Sequence, residues 1–311
     1  MNTSRRDFLA ASALPVIAGV GAGLTASSLA AVQSNFQVGY HAITWGDKAE
    51  QAIDEISELG FRGIQIRANL YSKFADRPQE FKALMAAKKL TVVAISSGNV
   101  TLNPDTRKQE IEERVAMARW MKEVGGLYLQ ATDGARLTQG VNDAGDYQKL
   151  GKRLTEIGKR TFGEFGIELG YHNHMNSLGE RVDEYDRIMD AADPKFVWAL
   201  PDIAHIQTAG GDPVKFVRHY MTRLVYLHFK DLIVYSSGPT NLVGKAPPMK
   251  YDFVELGQGK VNIPGVLQIL KDYRWSGWII IELDRAPGGR TPKESAILSK
   301  KYVEEKLKLK V

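Results

Sequence analysis

The chain has 311 residues, 44% hydrophobic and 25% charged, with a formal net charge of +5 and no cysteine. This is globular composition, and the missing cysteine excludes disulfides, thiolate metal sites and cysteine nucleophiles. The basic residues are scattered, which reads as solvated helix faces and excludes nucleic acid as the expected partner.

Residues 1–30 read as an address. Ser4-Arg5-Arg6-Asp7-Phe8-Leu9 precedes a mild apolar stretch over 10–24, and Ser28-Leu29-Ala30 offers the small residues of a cleavage site. That is the order of an export signal. The paired arginines before Phe-Leu resemble a twin-arginine signal, with Ala10 where a lysine is usual. The apolar stretch is rich in Gly, Ala and Ser and falls short of the ~20 apolar residues a spanning helix needs. The expectation is a periplasmic or secreted protein without stable membrane association, with one domain over 31–311. That length suits a single (β/α)8 TIM barrel.

From residue 36 onward, short apolar runs alternate with amphipathic ones. Strands are expected at 36–42, 63–67, 91–96, 127–131, 167–172, 196–202, 224–229 and 278–283. Between them, Ile53, Ile56 and Leu59, and then Ile111, Val115, Ala118 and Met121, recur at helical spacing. Strand alternating with helix argues for a parallel sheet, and eight strands argue for closure into a barrel. An open doubly wound sheet is the competing arrangement, but Gly39-Tyr40-His41-Ala42 after the first strand is no dinucleotide fingerprint. The one long connection, 231–259, contains Pro239, Pro247 and Pro248 and reads as a loop that shapes or covers a site.

Barrel chemistry sits at the carboxyl ends of strands. There the sequence places His41, then His172-Asn173-His174, Asp202 with His205, His228 with Lys230-Asp231, and Glu282 with Asp284. Five of the six histidines thus fall at strand ends, with His219 alone in a helical stretch. Imidazoles and carboxylates from separate strands can meet around one divalent cation, and mixed N/O ligation suits Mn, Co, Zn or Fe, with Mg also admitted. Singly, each has a plainer reading: Asp202 before a helix as an N-cap, Lys230-Asp231 as a surface ion pair, Asp284 as a partner of Arg285.

These residues carry a resemblance. Gly170-Tyr171-His172-Asn173-His174-Met175, Asp202-Ile203-Ala204-His205, His228-Phe229-Lys230-Asp231, Leu256-Gly257-Gln258-Gly259 and Gly277-Trp278-Ile279-Ile280-Ile281-Glu282-Leu283-Asp284 resemble the xylose-isomerase-like TIM-barrel superfamily of sugar isomerases and epimerases. Within it, they resemble the inosose dehydratase and 3-keto-sugar branch. The resemblance implies His172, Asp202, His228 and Glu282 as metal ligands and His205 as a substrate contact. Two departures stand out. Strand five ends in His-Asn-His instead of Glu, so His174 competes with His172 as ligand. Strand two carries Gln65 where relatives have Glu.

The implied chemistry is removal of a proton next to a carbonyl, with Glu282 as base, His174 as acid toward a departing oxygen and Lys230 beside the oxyanion. A histidine on strand five favours elimination over epimerisation. His41 and Trp45, with Tyr71, stand near the first strand ends as candidate substrate contacts, with core packing the alternative for the aromatics. The expected partner is a sugar or keto sugar, and a homo-oligomer is compatible with the chain. A DNA-repair endonuclease on the same barrel needs more metal ligands and a basic groove. A non-catalytic carbohydrate-binding barrel is the other competing class.

Overall fold

The computed structural model describes residues 35–134, 144–236 and 250–311. Eight parallel strands carry the fold: β1 (Phe36–His41), β2 (Gly63–Arg67), β3 (Thr91–Val100), β4 (Tyr128–Asp133), β5 (Glu168–His172), β6 (Val197–Leu200), β7 (Leu227–Phe229) and, after an insertion, β10 (Gly277–Ile281). They pair in sequence order from β1 to β6, while β10 lies between β1 and β7. The β6–β7 seam is bridged in parallel at Ala199–Leu224 and Asp202–His228. There Val225 N–H donates to the Ala199 carbonyl at 3.1 Å and His228 N–H to the Pro201 carbonyl at 2.9 Å. The eight strands expected from the sequence are therefore present, in a TIM barrel.

The helices run outside. They are α1 (Ala49–Glu58), α2 (Ala68–Phe74), α3 (Pro78–Ala87), α4 (Arg107–Val124), α5 (Ala144–Phe165), α6 (Val182–Ala191), α7 (Ile203–Thr208), α8 (Pro213–His219), α9 (Ile263–Asp272) and α10 (Pro292–Glu305). Ile53 and Ile56 of α1, and Ile111, Val115, Ala118 and Met121 of α4, are buried as their spacing requires. Among the described residues no helix is long and apolar enough to cross a membrane. The export-type segment 1–30 lies outside them.

Strand periodicity sorts the side chains into two layers. Alternate residues face the same side of a strand. The outward set packs on the helices. The inward set begins with an apolar floor of Val93, Ala94, Leu200, Val225, Tyr226, Trp278 and Ile280, a cluster separate from the outer core. Trp278 fits only because Gly63 has no side chain: a Cβ there would stand 2.3 Å from the indole and 2.6 Å from Val93. One step further along the same parity, two residues on, the inward positions turn polar: Gln65 after Gly63, Gln130 after Tyr128, His172 after Gly170, His228 after Tyr226, Glu282 after Ile280. All of these are buried.

The 231–259 connection is more ordered than its prolines suggest. It contains a two-stranded antiparallel ribbon, β8 (Asp231–Ser236) with β9 (Lys250–Val254); the prolines fall among residues outside the description. Asp231 anchors the ribbon. One carboxylate oxygen accepts from the backbone N–H of Leu232 and Val261, the other from Gly257 and Gly259, all at 2.9–3.0 Å. A Cβ at Gly259 would stand 2.2 Å from that carboxylate, so glycine is required.

Candidate functional site

At the carboxyl end of the barrel, His172, Asp202, His228 and Glu282 each bring one ligating atom to within 4.8 Å of the others. Their side chains are at most 5% exposed. His172 closes β5 and His228 lies in β7. Asp202 and Glu282 follow the last residues of β6 and β10.

Asp202 does two jobs with two oxygens. Oδ1 caps α7, accepting from Ala204 N–H at 2.9 Å and His205 N–H at 3.1 Å. Oδ2 has no hydrogen-bond partner. It stands 3.8 Å from His172 Nε2 and 3.7 Å from both His205 Nε2 and Lys230 Nζ. The N-cap reading and the ligand reading thus apply to different atoms of one side chain.

His228 is oriented from behind. Its Nε2 lies 2.8 Å from Gln65 Oε1, which can only accept, so the imidazole proton sits on Nε2. Nδ1, the lone-pair nitrogen, then faces the cluster, 3.1 Å from His172 Nε2 and 3.1 Å from Glu282 Oε2. Gln65 is itself fixed by donating to Gln130 Oε1 and to Ser96 Oγ, the latter at 3.1 Å. Gln65 therefore holds the His228 tautomer without adding charge, the part a carboxylate often plays behind a metal-bound histidine.

Glu282 is gripped from two sides, by His41 Nδ1 at 2.6 Å and Lys230 Nζ at 3.1 Å, while its Oε2 faces the His228 Nδ1 lone pair at 3.1 Å. Burial would raise its pKa, but His228, Lys230 and His41 together hold it well below the usual carboxylate range. Ser96 Oγ, 3.2 Å from His41 Nε2, completes this arm. Asp202 goes the other way: burial, aided by Glu282 and opposed by Lys230, pushes it up to about 7. Burial also drives the imidazoles toward neutrality, His228 down to about 3 and His172 and His205 well below the ordinary histidine value. Neutral imidazoles are what a metal requires.

Lys230 is no surface residue. It is fully buried, and its ammonium donates to Asp284 Oδ1 at 2.8 Å, Glu282 Oε1 at 3.1 Å and His205 Nε2 at 3.3 Å. Burial would lower its pKa, but Glu282, Asp202 and Asp284 hold it well above the usual lysine value. Asp284 pairs with Lys230, not Arg285. Three carboxylates against one ammonium leave two net negative charges when all are ionised. Two imidazole nitrogens, two carboxylate oxygens, an unpartnered buried oxygen and that charge deficit together fit a divalent cation.

Other expected residues are placed as follows. His174 stands outside the four-residue cluster. It is half-buried, with Nδ1 2.8 Å from the Met175 carbonyl and its ring 4.3 Å from that of His205. β5 ends at His172, so the strand's alternation no longer carries His174 inward. His205 is buried, with Nδ1 unpartnered. Trp45 departs from its expected role: it is 4% exposed, packs edge-on against Tyr40 and donates Nε1–H to Glu55 at 2.7 Å. It is core packing. Tyr71 likewise packs edge-on against Trp120. Ser96, Gln130 and Phe253 were not marked by the sequence. Phe253 covers the site, its ring centroid 4.1 Å from Lys230 Nζ and 5.2 Å from the His205 ring.

Comparison with known proteins converges on one family. Residues 53–302 match the xylose isomerase-like TIM barrel family. An inosose dehydratase from Clostridium tetani is 25% identical over 279 residues, covering 83% of this chain and 89% of its own. Two solved structures share the fold. The probable 3-DHS dehydratase AsbF from Bacillus anthracis, 18% identical, has a TM-score of 0.68 and covers 88% of this chain and 99% of its own. The IolI protein with a bound zinc atom, 17% identical, has a TM-score of 0.70 and covers 86% and 97%.

Proposed function

The chain belongs to the xylose isomerase-like TIM-barrel family, and on that footing we propose that it is a metal-dependent lyase eliminating an oxygen substituent from a keto polyol or keto sugar. The observation that carries the reading is the convergence of His172, Asp202, His228 and Glu282 within 4.8 Å at the barrel mouth. The names of the inosose dehydratase and AsbF relatives support elimination, and the zinc in IolI supports a metal.

His172, Asp202, His228 and Glu282 would hold the cation, one of Mn, Co, Zn, Fe or Mg. When bound it supplies Lewis acidity that lowers the pKa of a C–H next to a carbonyl. The remaining work belongs to the side chains. Glu282, kept anionic by His41 and Lys230, is a modest base of fixed orientation, suited to a proton already acidified. Lys230, whose three N–H groups bond Asp284, Glu282 and His205, would act on negative charge developing on the substrate oxygen through its field alone. His174 donates Nδ1–H to the Met175 carbonyl, so only as the doubly protonated imidazolium would its Nε2–H deliver a proton to the departing oxygen. His205 supplies a second imidazole contact beside Lys230. The export-type segment of residues 1–30 supports a periplasmic or secreted enzyme that meets unphosphorylated sugars.

The test is NMR of a keto-inositol in D2O with the metal-replete chain. The expected result is deuterium at the carbon next to the carbonyl, together with the dehydrated enone. Exchange with inversion and no loss of water would assign epimerisation instead. No exchange on keto-inositols, ketohexoses or 3-keto-glucose would overturn the reading.

A further inference from the structure

A carboxylate outside the cluster grips the segment that carries His172 and His174. Asp133 ends β4 and is 3% exposed. Its Oδ2 accepts from Tyr171 O–H at 2.6 Å, and its Oδ1 accepts from Leu178 N–H at 2.5 Å. Gly179 N–H reaches Oδ2 at 3.4 Å. One side chain thus holds the segment at both ends. Tyr171 is fixed in its own right: its ring stacks on Tyr185 with centroids 4.9 Å apart, and Tyr185 O–H donates to its carbonyl at 2.7 Å. A Cβ at Gly179 would stand 2.1 Å from the Tyr171 oxygen, so the loop closes on the phenol only with glycine there.

The two histidines depend on this grip unequally. His172 pairs with Leu200 in the β5–β6 ladder, which holds it without help. His174 lies past the end of β5 and has no ladder. Its carbonyl accepts from Ser177 O–H at 2.7 Å, and its Nδ1–H donates to the Met175 carbonyl at 2.8 Å. Asn176, in the left-handed region at φ 60°, donates its N–H to Glu180 Oε2 at 2.8 Å. The turn is pinned at Leu178, and Ser177, one residue before it, ties His174 to that point. Asp133 itself faces away from the cluster. Ala131 pairs with Tyr171 across β4 and β5, so Asp133 and Tyr171 share the outward parity, opposite to Gln130 and His172. From there a carboxylate acts only by fixing the backbone that aims an inward residue.

We infer that Asp133 is a positioning residue for elimination, setting where the His174 imidazole stands by gripping the segment at Tyr171 and Leu178. The inference rests on the lyase reading above, in which Glu282 takes the proton and His174 serves the departing oxygen. It adds a residue that acts on the second of these steps and leaves the first, and the metal, alone.

The two steps are read separately with the metal-replete full chain and a keto-inositol in D2O. Asp133→Ala is expected to lower enone formation about 100-fold, the loss that about 1 Å of misplacement brings, while deuterium exchange next to the carbonyl and the divalent-metal Kd stay within about threefold of wild type. Asp133→Asn keeps an acceptor for Leu178 and offers an N–H to the Tyr171 oxygen, so enone formation should return to within about tenfold of wild type. A second readout needs no turnover. The 15N-resolved NMR signals of His174, assigned by their loss in His174→Gln, should report one Nδ1–H tautomer in wild type and averaging between tautomers in Asp133→Ala. Tyr171→Phe removes one bond to Asp133 and keeps the ring; if Asp133→Ala does not fold, it should give the same NMR change and about a fivefold loss of enone. An unchanged His174 tautomer in folded Asp133→Ala, or in Tyr171→Phe, would overturn the role. So would exchange and enone formation falling in equal proportion, the signature of a carboxylate that only keeps the fold. If wild type forms no enone from any keto sugar, the lyase chemistry fails, and the His174 tautomer still decides the grip.

Discussion

On the β5, β6, β7 and β10 side of the barrel mouth stand His172, Asp202, His228, Lys230 and Glu282; on the β1 to β4 side stand His41, Gln65, Ser96 and Gln130. The first group carries the clustered carboxylates, the ammonium and the four side chains that could hold a metal. The second carries hydrogen-bonding groups: Gln65 reaches across the barrel to His228, and His41 reaches Glu282 from the neighbouring strand, with Ser96 and Gln130 behind them. The division shows how a barrel separates tasks. Carboxylates gathered on adjacent strands give the makings of an ion site, and the uncharged Gln65 amide opposite sets which His228 lone pair faces it without adding to the repulsion.

That division can be broken from either side. The largest effect is expected from Glu282→Gln, which keeps the shape and removes the base: proton exchange should fall about 1,000-fold by NMR, and exchange within tenfold of wild type would remove Glu282 from that role. Next comes Asp202→Ala, which deletes the unpartnered oxygen and should weaken divalent-metal binding about 100-fold in calorimetric titration. On the opposite side, Gln65→Leu should weaken metal binding only about tenfold, by freeing the His228 tautomer. Gln65→Glu, which still accepts from Nε2, should restore most of it. If Gln65→Leu cost as much as Asp202→Ala, the two sides would not be functionally distinct. The smallest effect belongs to Trp45→Phe: thermal unfolding should report about 1 kcal/mol lost with the Glu55 hydrogen bond, and kcat should stay within twofold of wild type.

The clustered residues were legible because barrel chemistry collects where strands end, and because Asp202, His228 and Glu282 each sit at a strand end with no apolar alternative. His172 and His174 were not separable by sequence: both lie on one parity, and only the end of β5 at His172 distinguishes them. Gln65 read as a missing carboxylate because its partner, His228, is 163 residues away and the bond forms only when the barrel closes. The plainer alternative for Lys230-Asp231, a surface pair beside the expected role of Lys230 at the oxyanion, rests on adjacent opposite charges usually being exposed. Here they bury in opposite directions, one toward the centre and one toward the 257–261 backbone. The aromatic cover over Lys230 was hidden by the prolines of the long connection, although Tyr251-Asp252-Phe253 already shows the alternation of a strand with one apolar face.

The central claim is that one divalent cation sits among His172, Asp202, His228 and Glu282. It is tested most directly by anomalous diffraction from crystals grown with Mn or Zn. A single anomalous peak enclosed by those four side chains is the predicted result. A peak at other residues, or none at saturating ion with the four side chains in place, would contradict it.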